Sequence, residues 1–85
     1  MILYFGRAQY IKKDLPLITS IGDPSEKVEE IVDILREFSK THVNDPEYPD
    51  ATYYISCWEA DDWNEKPPTQ APVNLWQRPL EEFIT

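Results

Sequence analysis

The chain has 85 residues, with 16 Asp and Glu against 8 Lys and Arg, and a formal net charge of −8. That length supports one domain (residues 1–85) with a modest core, because a fold this small buries only about 60% of its unfolded surface. The acidity argues against direct nucleic-acid binding, which needs clustered Lys and Arg. A single cysteine, Cys57, excludes an intrachain disulfide framework and a cysteine-based zinc site.

With 41% apolar and 13% aromatic residues, the chain is too rich in core formers to read as a disordered acidic tail. No apolar run approaches the roughly 20 residues of a membrane span, and no basic segment precedes an apolar one near Met1. A cytoplasmic protein with no membrane contact is expected.

Met1 to Ile11 reads as a strand. Ile2, Leu3, Tyr4 and Phe5 are strand formers, and Arg7 to Tyr10 alternates polar and apolar residues. Gly6 marks a bulge or a close backbone approach. In Leu15–Ile21, Pro16 argues against a helix interior and permits an edge strand or an extended connector. A helix is expected over residues 24–41. Asp23 offers a cap, Pro24 a first helical residue and Glu26 a capping-box partner, while Val28, Ile31, Val32, Leu35 and Phe38 form one apolar stripe. Lys40 and His42 suit the negative end of the helix dipole.

Residues 42–50 contain two prolines and three acids and read as a loop. A second strand is expected over Ala51–Ala60, with Tyr53, Ile55 and Cys57 on one face and Tyr54, Ser56 and Trp58 on the other. Pro67, Pro68 and Pro72 predict an extended proline-rich segment over 64–79, within which residues 73–76 suit a short strand. Residues 79–84 suit a final helical turn begun by Pro79. The expected fold class is α+β: a small antiparallel sheet of two to four strands packed on one main helix.

Charge is distributed unevenly along this plan. Residues 1–40 carry a net charge of −1 and residues 41–85 carry −7. Between Lys40 and Lys66 there is no Lys or Arg, while Asp45, Glu47, Asp50, Glu59, Asp61, Asp62 and Glu65 interleave with Tyr48, Tyr53, Tyr54, Trp58 and Trp63. A stretch of one sign speeds capture of an oppositely charged partner, and Tyr and Trp are favoured anchors of interfaces. The expected partner-binding set is therefore Asp45, Glu47, Asp50, Tyr53, Tyr54, Trp58, Glu59, Asp61, Asp62 and Trp63.

Signals for chemistry are weak. His42 is the only imidazole, and none of Cys57, Ser20, Ser25, Ser39 or Ser56 stands in a nucleophile motif. His42, Asp45, Glu47 and Asp50 have the ligand types for a divalent ion but lack the spacing and glycine of a calcium loop. Gly6 and Gly22 are too far apart to cradle phosphate. The expectation is a non-enzyme with no metal site and no cofactor.

Asp50-Ala51-Thr52-Tyr53-Tyr54, placed after the acidic amphipathic helix Ser25–Phe38 and a proline-containing loop, resembles the Asp-x-x-Tyr-Tyr segment of the immunity proteins that neutralise DNase colicins and pyocins. The resemblance is local and implies contacts to a basic nuclease from Glu29, Glu30 and Asp33 on the helix, with Asp50, Tyr53 and Tyr54 after it. The all-helical fold of that family is not implied for a chain that opens on a strand.

These readings converge on an acidic binding module that inhibits a basic partner, such as an immunity or antitoxin protein blocking a nuclease. Two alternatives stand beside it. One is a DNA mimic of phage type that occupies the channel of a nucleic-acid-binding protein. The other is a non-inhibitory adaptor or small complex subunit docking through its proline-rich segment.

Overall fold

A computed structural model describes residues 1–62, 66 and 75–84. Strand β1 (Ile2–Lys12) turns into β2 (Leu15–Ser25), helix α1 (Val28–Thr41) follows, and then come β3 (Thr52–Glu59), β4 (Trp76–Pro79) and a 3-10 turn at Leu80–Phe83. The four strands form one antiparallel sheet in the order β2-β1-β3-β4, with the helix packed on it. The fold is thus α+β, with one main helix on a four-stranded sheet.

The β1–β2 hairpin closes through Lys13 and Asp14, both at positive φ (53° and 64°), as a two-residue type I′ turn demands. Pro16 sits opposite Ile11, one step past the Lys12–Leu15 pair that closes the turn. Ladder bonds alternate along an antiparallel pair, so the nitrogen of Pro16 faces away from β1 and the missing N–H weakens nothing. Leu15–Ile21 is accordingly an edge strand.

Gly6 fulfils both readings of its position. The β1–β2 register shifts between Tyr4 and Gly6, and a Cβ built on Gly6 would lie 2.6 Å from Cδ2 and 2.8 Å from Cγ of Leu35. Leu35 is fully buried, so it has no room to retreat. We expect Gly6→Ala to destabilise the fold by about 1–3 kcal/mol, the usual cost of overpacking, in a urea melt.

The helix begins later than the sequence suggests. Asp23, Pro24 and Ser25 belong to β2, whose Ser25 pairs with Tyr4, and the N-cap position falls to Lys27 with no side-chain cap. Ser25 still acts near this terminus: its Oγ accepts the Lys27 N–H at 3.0 Å and donates to the Glu30 carboxylate. Pro24 is therefore a proline of an edge strand instead of a first helical residue. Glu29 and Glu30 place negative charge in the first turn and Lys40 positive charge in the last, as the dipole favours.

The helix buries Ile31 and Leu35 against Ala8, Ile21, Ile55 and Leu80, with Val28, Val32, Phe38, Tyr53 and Trp76 packed around them. A second cluster, Leu3, Phe5, Trp58 and Ala60, lies apart from it. Alternation along β1 and β3 puts Leu3, Phe5 and Trp58 on the sheet face opposite the helix. Arg7 shares that face, 2% exposed, with its guanidinium 4.5 Å from the Phe5 ring centroid; burial lowers its pKa. The unbroken apolar run Met1–Phe5 suits a strand buried on both faces better than a half-exposed one.

The last expected elements are partly in place. Residues 76–79 form β4 within the segment expected to be extended, and Pro79 precedes a 3-10 turn at Leu80–Phe83. Positions 64, 65 and 67–74 of that segment, and Trp63, lie outside the described residues. Among the described residues, no helix is long and apolar enough to cross a membrane.

Candidate protein-binding site

Residues 42–51, between helix and β3, fold back onto the end of the hairpin. The backbone turns twice through left-handed residues, Asn44 (φ 62°) and Asp50 (φ 52°), residue types that tolerate this region better than most. Asp45 ties the loop together. One carboxylate oxygen accepts from Nδ1 of His42 at 2.7 Å, and the other accepts the Glu47 N–H at 2.9 Å. The His42 bond, followed by the Glu47 N–H, holds the Asp45 carboxyl below its ordinary pKa.

Rings lock the same loop from beneath. His42 stacks on Phe38 with centroids 4.0 Å apart, and Tyr48 meets Phe38 edge-on at 5.3 Å and Tyr10 at 5.1 Å. Tyr53 completes the group, 6.0 Å from Phe38, its hydroxyl pKa raised by burial and then by Tyr48 and Asp45. Across the hairpin, Lys12 Nζ donates to Glu47 Oε2 at 2.8 Å, which raises the Lys12 pKa. Tyr10 pairs its hydroxyl with Thr19 at 2.9 Å.

Between these groups lies an open cleft of about 540 Å³ lined by His42, Asp45, Tyr48, Asp50 and Tyr53 among others. Carboxylates at its rim and half-buried tyrosine rings in its wall suit a cationic side chain, because ring faces and anions both attract a positive head group. Among the described residues, no three His, Cys, Asp or Glu side chains are grouped to hold a metal ion.

The structure gathers only part of the expected binding set here. Asp45, Asp50 and Tyr53 line the cleft, and Glu47 stands exposed beside it, paired with Lys12. Tyr54 follows Tyr53 on an extended strand, so it takes the opposite face, beside Arg7 and Pro79. The two tyrosines that carry the local resemblance therefore do not share a surface.

Trp58 corrects its expected role as an outward anchor. It is 3% exposed and meets Phe5 edge-on at 4.8 Å, because strand alternation sends it into the second cluster with Leu3 and Phe5. Glu59, Asp61 and Asp62 are exposed at the far end of β3, where Glu59 pairs with the Met1 ammonium at 3.0 Å. An eight-residue strand at about 3.3 Å per residue separates them from the cleft by roughly 25 Å. The acids thus form two groups instead of one ribbon. Trp63 lies outside the described residues.

Sequence reasoning groups His42 with Asp45 and Asp50 but misses Phe38 and Tyr10, whose rings pack against Tyr48 in the cleft wall. Phe38 and His42 stand four apart on a helix end, which is a pairing distance, but their apolar and cap readings absorbed that signal. Tyr10 and Lys12 reach the loop only through the hairpin, and no local pattern reports such a contact. No protein-family model, curated protein or solved structure matches the chain.

Proposed function

We propose that this protein is an acidic binding module, not an enzyme, that inhibits a basic partner by seating one of its Arg or Lys side chains in the cleft beside Asp45 and Asp50. The observation that supports this reading most is the union of carboxylates and tyrosine rings at one open cleft, in a stretch of chain without Lys or Arg. In that arrangement Asp45 and Asp50 steer the cation, and Tyr48 and Tyr53 contact its stem and charged head. A nuclease is a suitable class of partner, since its own substrate channel is cationic.

Capture at low ionic strength, with partners identified by mass spectrometry, tests the proposal. The expected partner is basic, loses its activity when bound, and associates about tenfold or more slowly at high salt than at low salt. Asp45→Asn/Asp50→Asn slows association in the same assay. An on-rate insensitive to salt contradicts the reading. A captured partner whose channel is filled by acids of the helix, with the cleft empty, supports a DNA mimic instead.

A further inference from the structure

His42 is the chain's single imidazole, and it lines the acidic cleft. It sits at the C-terminal end of α1, where its backbone N–H donates to the Phe38 carbonyl at 3.0 Å. Its ring is held on three sides. It lies tilted over Phe38 with centroids 4.0 Å apart, meets Tyr48 edge-on at 5.3 Å, and bonds Asp45 through Nδ1 at 2.7 Å. An ionised carboxylate only accepts, so the proton of the neutral ring sits on Nδ1 and Nε2 is the nitrogen that takes up a second one.

The groups around this ring come from three elements. The loop supplies Asp45, Tyr48 and Asp50, β3 supplies Tyr53, and α1 supplies Phe38 and Ser39, which carry no charge. Lys40, in the last turn of α1, is exposed and outside the lining, and Lys12 of the hairpin is paired with Glu47. The Asp45 carboxyl is held below its ordinary range by His42 and then by the Glu47 N–H, so it stays ionised while an imidazole titrates. Among the described residues of the lining, imidazole is the only side-chain type that changes charge between about pH 5 and 8. Protonation does not eject the ring. A helix C-terminus and the face of Phe38 both favour positive charge there, and Asp45 pairs with it.

We propose that His42 is a pH switch on the cleft: neutral, it leaves the acidic wall to an Arg or Lys of the partner, and protonated, it becomes the cleft's own cation and weakens that hold. This rests on the function proposed for the cleft and adds its regulation. Two like charges about 6 Å apart at a protein surface weaken binding about fivefold or more. The coupling is reciprocal, so a bound cation disfavours protonation of His42 by the same factor. Affinity is therefore highest above the imidazole range and falls as pH drops through it.

Because the chain has one histidine, its imidazole C–H signal can be followed by NMR in the intact protein. The probe is a short polyarginine peptide at fixed low salt. Saturating peptide is expected to move the His42 titration midpoint to lower pH. Wild-type affinity falls about fivefold or more from pH 8 to pH 5, while that of His42→Gln changes less than about twofold. A midpoint unmoved or raised by the peptide overturns the switch, and so does an equal fall of affinity in His42→Gln. Binding that is flat with pH yet abolished by Asp45→Asn/Asp50→Asn overturns the switch alone and leaves the cleft's proposed function standing. Binding indifferent to Asp45→Asn/Asp50→Asn contradicts both.

Discussion

The two ends of β3 carry the same kind of sequence, acids interleaved with rings, and fold to different outcomes. At the start, Asp45 and Asp50 stand at the rim of a cleft whose wall includes Tyr48 and Tyr53. At the finish, Glu59, Asp61 and Asp62 remain on the surface while Trp58 is drawn under against Phe5. The difference comes from what each ring finds across the strand. Tyr48 and Tyr53 lie over the helix end, where Phe38 and His42 are themselves only half covered. Trp58 lies opposite Leu3 in the register, and both are buried. An aromatic residue among acids therefore stays accessible only where the groups packed against it are themselves half covered.

The largest expected effect sharpens this contrast at the far end. Trp58→Ala removes a core ring and costs about 3–5 kcal/mol in a denaturant melt, whereas a loss under about 1 kcal/mol would mean the ring is not in the core. Cys57, also on β3 and buried, has its thiol pushed above the ordinary pKa by burial, then by Glu59. It should react with a thiol reagent at neutral pH only as fast as the protein opens, and full reaction within the mixing time would contradict the burial.

A smaller effect belongs to the cleft. Because the folded-state pKa of Asp45 is depressed, its contribution to stability is complete above the ordinary carboxylate value near 4 and disappears as pH falls through the lowered one. Asp45→Asn should therefore flatten part of the acid limb of a stability–pH curve. The smallest effect is expected from Glu47→Gln. Its pair with Lys12 is exposed, so thermal melts should differ little, and less still in high salt.

Much of the fold was legible in the sequence because its signals were local. The stripe Val28–Phe38 marks the helix, Pro16 narrows its segment to an edge strand or a connector, and Gly6 marks a bulge or a close approach. The helix start was misread because Asp23-Pro24-Ser25-Glu26 fits a capping box on paper, while tertiary pairing extended β2 to Ser25. The cleft was half legible. Composition marks the loop of residues 42–50, but two contacts that hold it come from Tyr10 and Lys12, which only the hairpin brings near. Trp58 was misplaced because alternation tells which residues share a face, not which face is covered.

The most direct test of the cleft is an NMR titration of the ¹⁵N-labelled protein with a short polyarginine peptide at low salt. Saturable shifts are expected, centred on Asp45, Tyr48, Asp50 and Tyr53, lost in Asp45→Asn/Asp50→Asn and retained in Asp61→Asn/Asp62→Asn. Shifts centred on Glu59–Asp62, or spread evenly over the acids of the helix, would contradict it.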